Sequence, residues 1–186
     1  INGYFMIRLN VTKEMIDSAR AKANALGSIN NSILKGAGNV AGYLGEEVVA
    51  SYVKAEVVSN NRGLEKYNHD LLLSGGCRIE VKTKRRTVSP RGYYDVSVAR
   101  TSKHQQPDTY AFVSLEFERV TTSHPKKYYG LINAWLCGFM PANEYWKRAK
   151  LWKSGQIDKT NNFKTHVDMY NLAIEDLYQE IPEYII

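Results

Sequence analysis

Residues 68–84 read NHDLLLSGGCRIEVKTK. An apolar run ends at Ser-Gly-Gly and a second run then alternates, so the stretch predicts a β-hairpin with strands over 67–73 and 77–84. Ser74, Gly75 and Gly76 form a three-residue loop in which a glycine supplies the positive φ. Leu73 then pairs with Cys77, and counting back sets Asp70 opposite Glu80. Opposed residues share a face, with Cβ atoms about 4.5–5.5 Å apart. On the second strand Arg78, Glu80, Lys82 and Lys84 share one face, and Ile79, Val81 and Thr83 the other. A two-residue loop would shift the pairing by one and throw Asp70 to the opposite face, so its placement depends on loop length.

Two directly opposed carboxylates repel and destabilise a hairpin, so something must compensate. A divalent cation between them is the simplest candidate, and Mg²⁺ typically takes one or two carboxylates plus waters and phosphate oxygens. Lys82 lies one pleat period beyond Glu80, about 6.6–6.8 Å along the strand, and its stem can return the ammonium to the same place. Such a set suits metal-assisted phosphodiester hydrolysis, with an activated water, charge taken up on the phosphate oxygens and an assisting lysine. The same residues also admit a plainer reading, a solvated ladder pairing Asp70 and Glu80 with Arg78, Lys82 and Lys84.

Upstream, residues 5–11 predict a short strand. Residues 13–26 predict a helix, with Thr12 as N-cap, apolar Met15, Ile16, Ala19, Ala23 and Leu26 at helical spacing, and Gly27 to end it. Residues 28–39 read as a loop broken by Gly36 and Gly38. Residues 40–54 predict a helix whose Ala41, Leu44, Val48 and Tyr52 form a core-facing stripe. Residues 56–66 read as irregular, with a short strand at 56–59. Downstream, 93–100 predicts a strand, 101–108 a short helix or turn, 109–120 the strongest strand and 128–139 another, across a turn over 121–127. Pro141 suits the first turn of a helix running to about Lys153. The tail predicts a short helix near 171–179. No repeat, low-complexity tract or long linker divides the chain. The order gives one domain over 1–186, of α/β or α+β class, with a mixed sheet covered by helices.

The 186 residues suit one compact domain, and 44% hydrophobic with 24% charged residues is ordinary for a globular protein. No apolar run approaches the roughly 18–20 residues that span a bilayer, and no stretch near Ile1 has the pattern of a signal peptide. Two cysteines, Cys77 and Cys137, are too few for a disulfide scaffold and read as reduced thiols of an intracellular protein. With four scattered histidines they offer no zinc-like spacing. A net charge of +6 favours polyanionic partners without specifying one.

Asp70, followed ten positions later by Glu80-Val81-Lys82 on the adjacent strand, resembles the signature of the PD-(D/E)xK nucleases, which include restriction endonucleases and Holliday-junction resolvases. The resemblance covers about residues 38–118. It implies a restriction-endonuclease-like core, a mixed β-sheet flanked by helices, on which the extension 139–186 would be packed. It implies Mg²⁺, with Mn²⁺ as a substitute, held by Asp70, Glu80 and the Val81 backbone carbonyl. An N-terminal helix of the family commonly adds a glutamate. GYLGEEVVASYV (42–53) is similar to that helix, with Glu46 as the added acid and Glu47 as the alternate. The implied catalytic set is therefore Asp70, Glu80, Lys82 and Glu46. His69 stands where the motif has its proline, and Pro107-Asp108 is set aside because no Glu-x-Lys follows it. Residues 96–114 resemble the family's next strand, short helix and strand, where Lys103 and Gln106 are candidates for approaching DNA.

KTKRRTVSPR (82–91) leaves the motif with Lys82, Lys84, Arg85, Arg86 and Arg91, and those beyond Lys82 are candidate phosphate contacts. Lys147, Arg148, Lys150 and Lys153 form a second basic cluster, with Trp146 and Trp152 interleaved. No helix-turn-helix is evident. The expected function is a Mg²⁺-dependent DNA endonuclease, with DNA as partner, no membrane, and a homodimer if both strands are cut. The alternatives are a non-catalytic nucleic-acid-binding or assembly module of the same fold, a DNA exonuclease or repair nuclease, or an unrelated α/β domain.

Overall fold

The hairpin lies inside a six-stranded sheet. A computed structural model describes residues 5–26, 39–58, 69–119, 129–158 and 163–186. The predicted stop at Gly27, the loop over 28–38, the irregular stretch over 59–66 and the turn over 121–127 lie outside the described residues. The sheet contains β1 (Ile7–Leu9), β2 (Glu56–Val57), β3 (Leu71–Leu72), β4 (Arg78–Arg86), β6 (Thr109–Glu118) and β7 (Tyr129–Pro141), ordered β1-β7-β6-β4-β3-β2. Every pairing is antiparallel except β4 with β6, which run parallel with Glu80 beside Tyr110. A parallel pair needs a crossover. Here it runs through β5 (Asp95–Ala99) and a 3₁₀ turn at Arg100–His104.

Helices α1 (Lys13–Leu26) and α2 (Asn39–Val53) cover one face of this sheet. Thr12 caps α1 as expected, its Oγ1 accepting the Met15 N–H at 3.3 Å. Leu44, Val48 and Val49 of α2 are buried with Ile79 and Val81 of β4 and Val113 and Leu115 of β6. Tyr52 is the exception to the predicted stripe: it is 43% exposed near the end of α2. At Gly45 helix and strand touch so closely that a Cβ would lie 1.9 Å from Thr83 Oγ1.

The opposite face carries a second core, in which Tyr110, Phe112, Cys137 and Met140 meet Val96, Val98, Leu172 and Ile174. Its cover is a three-stranded sheet, β5-β11-β8, formed by β5, β8 (Lys150–Trp152) and β11 (Met169–Ala173). β6 is thus buried on both faces, which explains its unbroken apolar run.

Two expectations for the tail are corrected. The helix after Pro141 is short, α3 (Ala142–Arg148), and the chain then turns into β8. The helix predicted near 171–179 is strand β11 followed by a 3₁₀ turn at Ile174–Asp176. Leu172 and Ile174 are buried alternately, a period of two that outweighs local helix propensity. A small ribbon, β9 (Ile157–Asp158) with β10 (Phe163–Lys164), joins β8 to β11. Cys77 and Cys137 are buried free thiols. Among the described residues no helix is long and apolar enough to cross a membrane.

Candidate active site

The loop has the three-residue geometry. Gly76 N–H donates to the Leu73 carbonyl at 2.8 Å, Gly76 has φ +88°, and Leu73 N–H donates to the Cys77 carbonyl at 3.0 Å. Leu72 faces Arg78 and Leu71 faces Ile79. The ladder stops there, so β3 covers only the first two residues of β4. Asp70 finishes the pairing with its side chain: its N–H donates to the Ile79 carbonyl at 2.9 Å, and its Oδ2 accepts the Val81 N–H at 2.8 Å. Backbone groups two residues apart leave a strand on the same edge. The Val81 carbonyl therefore points to the edge that β3 has vacated.

Around this edge the acids act on one another. Burial pushes the Asp70 carboxyl well above the usual range, and the charges of Glu80 and Glu46 add to the effect, against the Val81 N–H and Lys82. Burial pushes Glu46 up to about 7; Lys22 and Lys82 pull it down, while Glu80 and Glu47 push it further up. Glu80 is buried. Its Oε1 accepts from Lys82 Nζ at 2.7 Å, and its Oε2 has no hydrogen-bond partner. Lys82 Nζ also donates to Gln105 Oε1 at 3.2 Å.

Of the two adjacent glutamates, Glu47 faces α1: its Oε1 accepts from Ser18 Oγ and Lys22 Nζ, each at 2.7 Å. Burial raises its carboxyl, yet these two donors hold it below the usual range. Glu46 is the one whose charge reaches Asp70 and Glu80. His69, at the position of the motif's proline, is buried. Asp108 takes Arg78 in a two-pronged pair, with contacts of 3.0 and 2.8 Å, and also accepts the Arg78 N–H at 2.8 Å. It ties the start of β6 to β4 and stands apart from the acids.

The donor chemistry fits a hard divalent cation: carboxylates whose charges act on one another, a backbone carbonyl on the same edge and a buried carboxylate oxygen without a donor. Among the described residues no three His, Cys, Asp or Glu side chains are gathered as a ready metal cage. Mg²⁺ does not require one, since it keeps several waters and uses one or two carboxylates.

The basic residues separate into two groups. Lys84 and Arg86 point inward, contrary to the expectation that they contact DNA. Lys84 Nζ donates to the Asp95 carbonyl and Ser97 Oγ, both at 2.8 Å, and burial pushes its ammonium down to about 8. Arg86 donates to Ser114 Oγ at 3.1 Å and the Asp95 carbonyl at 2.9 Å, over the Tyr94 ring. The physical reason is the second sheet, which covers the face these residues share with Glu80. Arg85 is half-buried, while Arg91, Lys103 and Gln106 are exposed. Lys103 lies over the Trp146 ring, 5.8 Å from its centroid. Gln105, not Gln106, is the residue that reaches Lys82. The parallel pairing of β4 with β6 returns the chain just before Thr109 to the Glu80 end, so the position was readable to within one residue.

No protein-family model matches the chain, and no curated protein matches it at a significant level.

Proposed function

We propose that the chain is a divalent-metal-dependent DNA endonuclease of PD-(D/E)xK type, with a restriction-endonuclease-like core made of α2 and the β3–β4–β6 part of the sheet. One observation carries the reading. Asp70 holds the Val81 N–H at the edge of β4 that β3 vacates, the charges of Glu80 and Glu46 act on its carboxyl there, and Lys82 is bonded to Glu80. A purely structural hairpin has no use for three mutually repelling acids that burial makes costlier still.

Asp70, Glu80 and the Val81 carbonyl would hold the cation, with Glu46 alongside. When bound, the cation supplies Lewis acidity and an acidified water. The protein's own residues do the rest. Asp70, fixed by the Val81 N–H, orients the site. Lys82 presents a positive charge where negative charge grows on the phosphate oxygens, and Gln105 steadies its ammionium group against Glu80. Hydrolysis adds water across one phosphorus–oxygen bond, leaving one phosphate monoester and one free hydroxyl.

The test is cleavage of supercoiled plasmid, linear duplex and branched DNA with Mg²⁺ or Mn²⁺, beside Asp70→Ala and Lys82→Ala proteins checked for folding. Wild-type protein should cut at least one substrate, and each variant should lose about two or more orders of magnitude in rate. Intact substrates throughout, or equal cutting by the variants, would remove the catalytic assignment.

A further inference from the structure

The chain from α3 to β11 lies outside the catalytic motif, and its exposed surface is basic and apolar at once. Lys147, Lys150, Lys153 and Lys164 are exposed, and none donates to a carboxylate among the described residues. Ile157 and Phe163, on β9 and β10, are each more than half exposed. Exposed apolar side chains on a narrow ribbon, with Lys164 on it and Lys147, Lys150 and Lys153 on the segments leading to it, suit a polyanion with apolar patches.

The ribbon is braced at its root. Gly155 N–H donates to the Thr165 carbonyl at 2.8 Å, and Thr165 Oγ1 donates to the Lys153 carbonyl at 2.7 Å. Asp168 accepts the Ser154 N–H at 2.9 Å and an Arg100 N–H at 3.2 Å, while its carbonyl accepts the Arg100 amide at 2.9 Å. Arg100 opens the 3₁₀ turn that leads directly into Gln105, the partner of Lys82. A short, hydrogen-bonded path thus joins the ribbon's root to the proposed catalytic lysine. The charge of Asp158, at the end of β9, acts on Lys84 of β4 and on Asp95 of β5.

We propose that the β9–β10 ribbon holds duplex DNA, lying along a groove while Lys150, Lys153 and Lys164 meet the flanking phosphates and the strand to be cut lies at Asp70 and Glu80. A groove about 12 Å wide admits a two-stranded ribbon, and exposed apolar side chains suit the sugars and thymine methyls within it. This assignment rests on the nuclease reading for its choice of partner. It replaces the inward-facing Lys84 and Arg86 with outward lysines that can reach phosphate.

The experiment measures anisotropy of a labelled 30-base-pair duplex in Ca²⁺, which suppresses cutting, across a salt series. It compares wild type, Lys153→Ala/Lys164→Ala, Phe163→Ala, and Lys13→Ala/Lys54→Ala as a control on a distant surface, with melting curves confirming that each is folded. The ribbon double variant should bind about tenfold more weakly, with a log–log salt slope smaller by about two, because each lost phosphate contact removes about 0.9. Phe163→Ala should weaken binding while leaving the slope unchanged, and the control should match wild type. Wild-type affinity and slope in the ribbon double variant would overturn the assignment. Binding that depends on the ribbon without cutting in Mg²⁺ would uphold the ribbon and defeat the nuclease reading. Cutting that is indifferent to the ribbon would do the reverse, and a wild type that binds no duplex would defeat both.

Discussion

Glu46 is where sequence, burial and chemistry meet most sharply. Its neighbour Glu47 has two donors, whereas Glu46 meets other acids, and its carboxyl is pushed up to about 7 from an ordinary 4.5. Between those two pH values the folded chain keeps a proton that the unfolded chain has lost. Stability of the metal-free protein therefore falls as pH rises through that window. The shift is worth about 3 kcal/mol at face value, and roughly 2 kcal/mol after discounting for a half-buried group. Between pH 5 and pH 8 the metal-free melting temperature should drop about 4–8 °C further in wild type than in Glu46→Gln. Parallel curves would show that Glu46 is not the proton holder. The elevated Asp70 carboxyl acts with the same sign. Under the nuclease reading, a cation must displace these protons, so calorimetric Mn²⁺ affinity should climb across the same window with proton release.

At the scale of elements, the contact of α2 with β4 turns on Gly45. Alanine ordinarily stabilises a helix interior relative to glycine by about 1 kcal/mol. Here the added Cβ would sit 1.9 Å from Thr83 Oγ1 and 3.1 Å from Thr83 Cβ, a clash that must move the helix or the strand. Overpacking of this kind costs about 1–3 kcal/mol, so the clash prevails over the propensity gain. Gly45→Ala should lower the denaturant midpoint, and Thr83→Ala in the same chain should restore more than half of the loss, because Thr83 Oγ1 has no partner to forfeit. Additive losses would mean the contact is looser than drawn. The Gly-Glu step is thus a packing device that brings Glu46 near the acids. Part of this element was legible in the sequence: the three-residue loop follows from local spacing, whereas the preference for Glu46 over Glu47 comes from the family resemblance and the packing role of Gly45 has no local signal. The inward turn of Lys84 and Arg86 was not, because charges on an alternating strand look solvated until a second sheet covers them. That sheet is assembled from β5, β8 and β11, three short strands from distant parts of the chain. Long-range pairing of this sort leaves little local periodicity, which is why residues 171–179 predict a short helix where the chain forms the end of β11 and a 3₁₀ turn.

Across the whole molecule, β6 decides whether the C-terminal third is an accessory or part of the fold. Its Ala111, Val113 and Leu115 belong to the core under α2, while Tyr110 and Phe112 belong to the core under the second sheet. Tyr145 from α3 stacks on Phe112 with ring centroids 5.4 Å apart, and its hydroxyl donates to the Tyr170 carbonyl at 2.6 Å. One strand therefore serves as a wall of both cores, and neither can melt without stripping the other face of β6. Removing residues 142–186 would expose Tyr110, Phe112, Cys137 and Met140 together, a loss of several side chains at about 1.5–3 kcal/mol each. That is comparable to the whole stability of a typical domain, about 5–15 kcal/mol, so the truncated chain should be insoluble or unfolded. In the intact protein, a Trp146→Phe/Trp152→Phe variant leaves Trp135 on β7 to report the first sheet, while far-UV circular dichroism reports both. The two signals should give one urea midpoint, as a single cooperative unit requires. Separate midpoints would make the second sheet an independent module, and the ribbon it carries would then be a docked appendage instead of a fixed part of the proposed DNA-binding face.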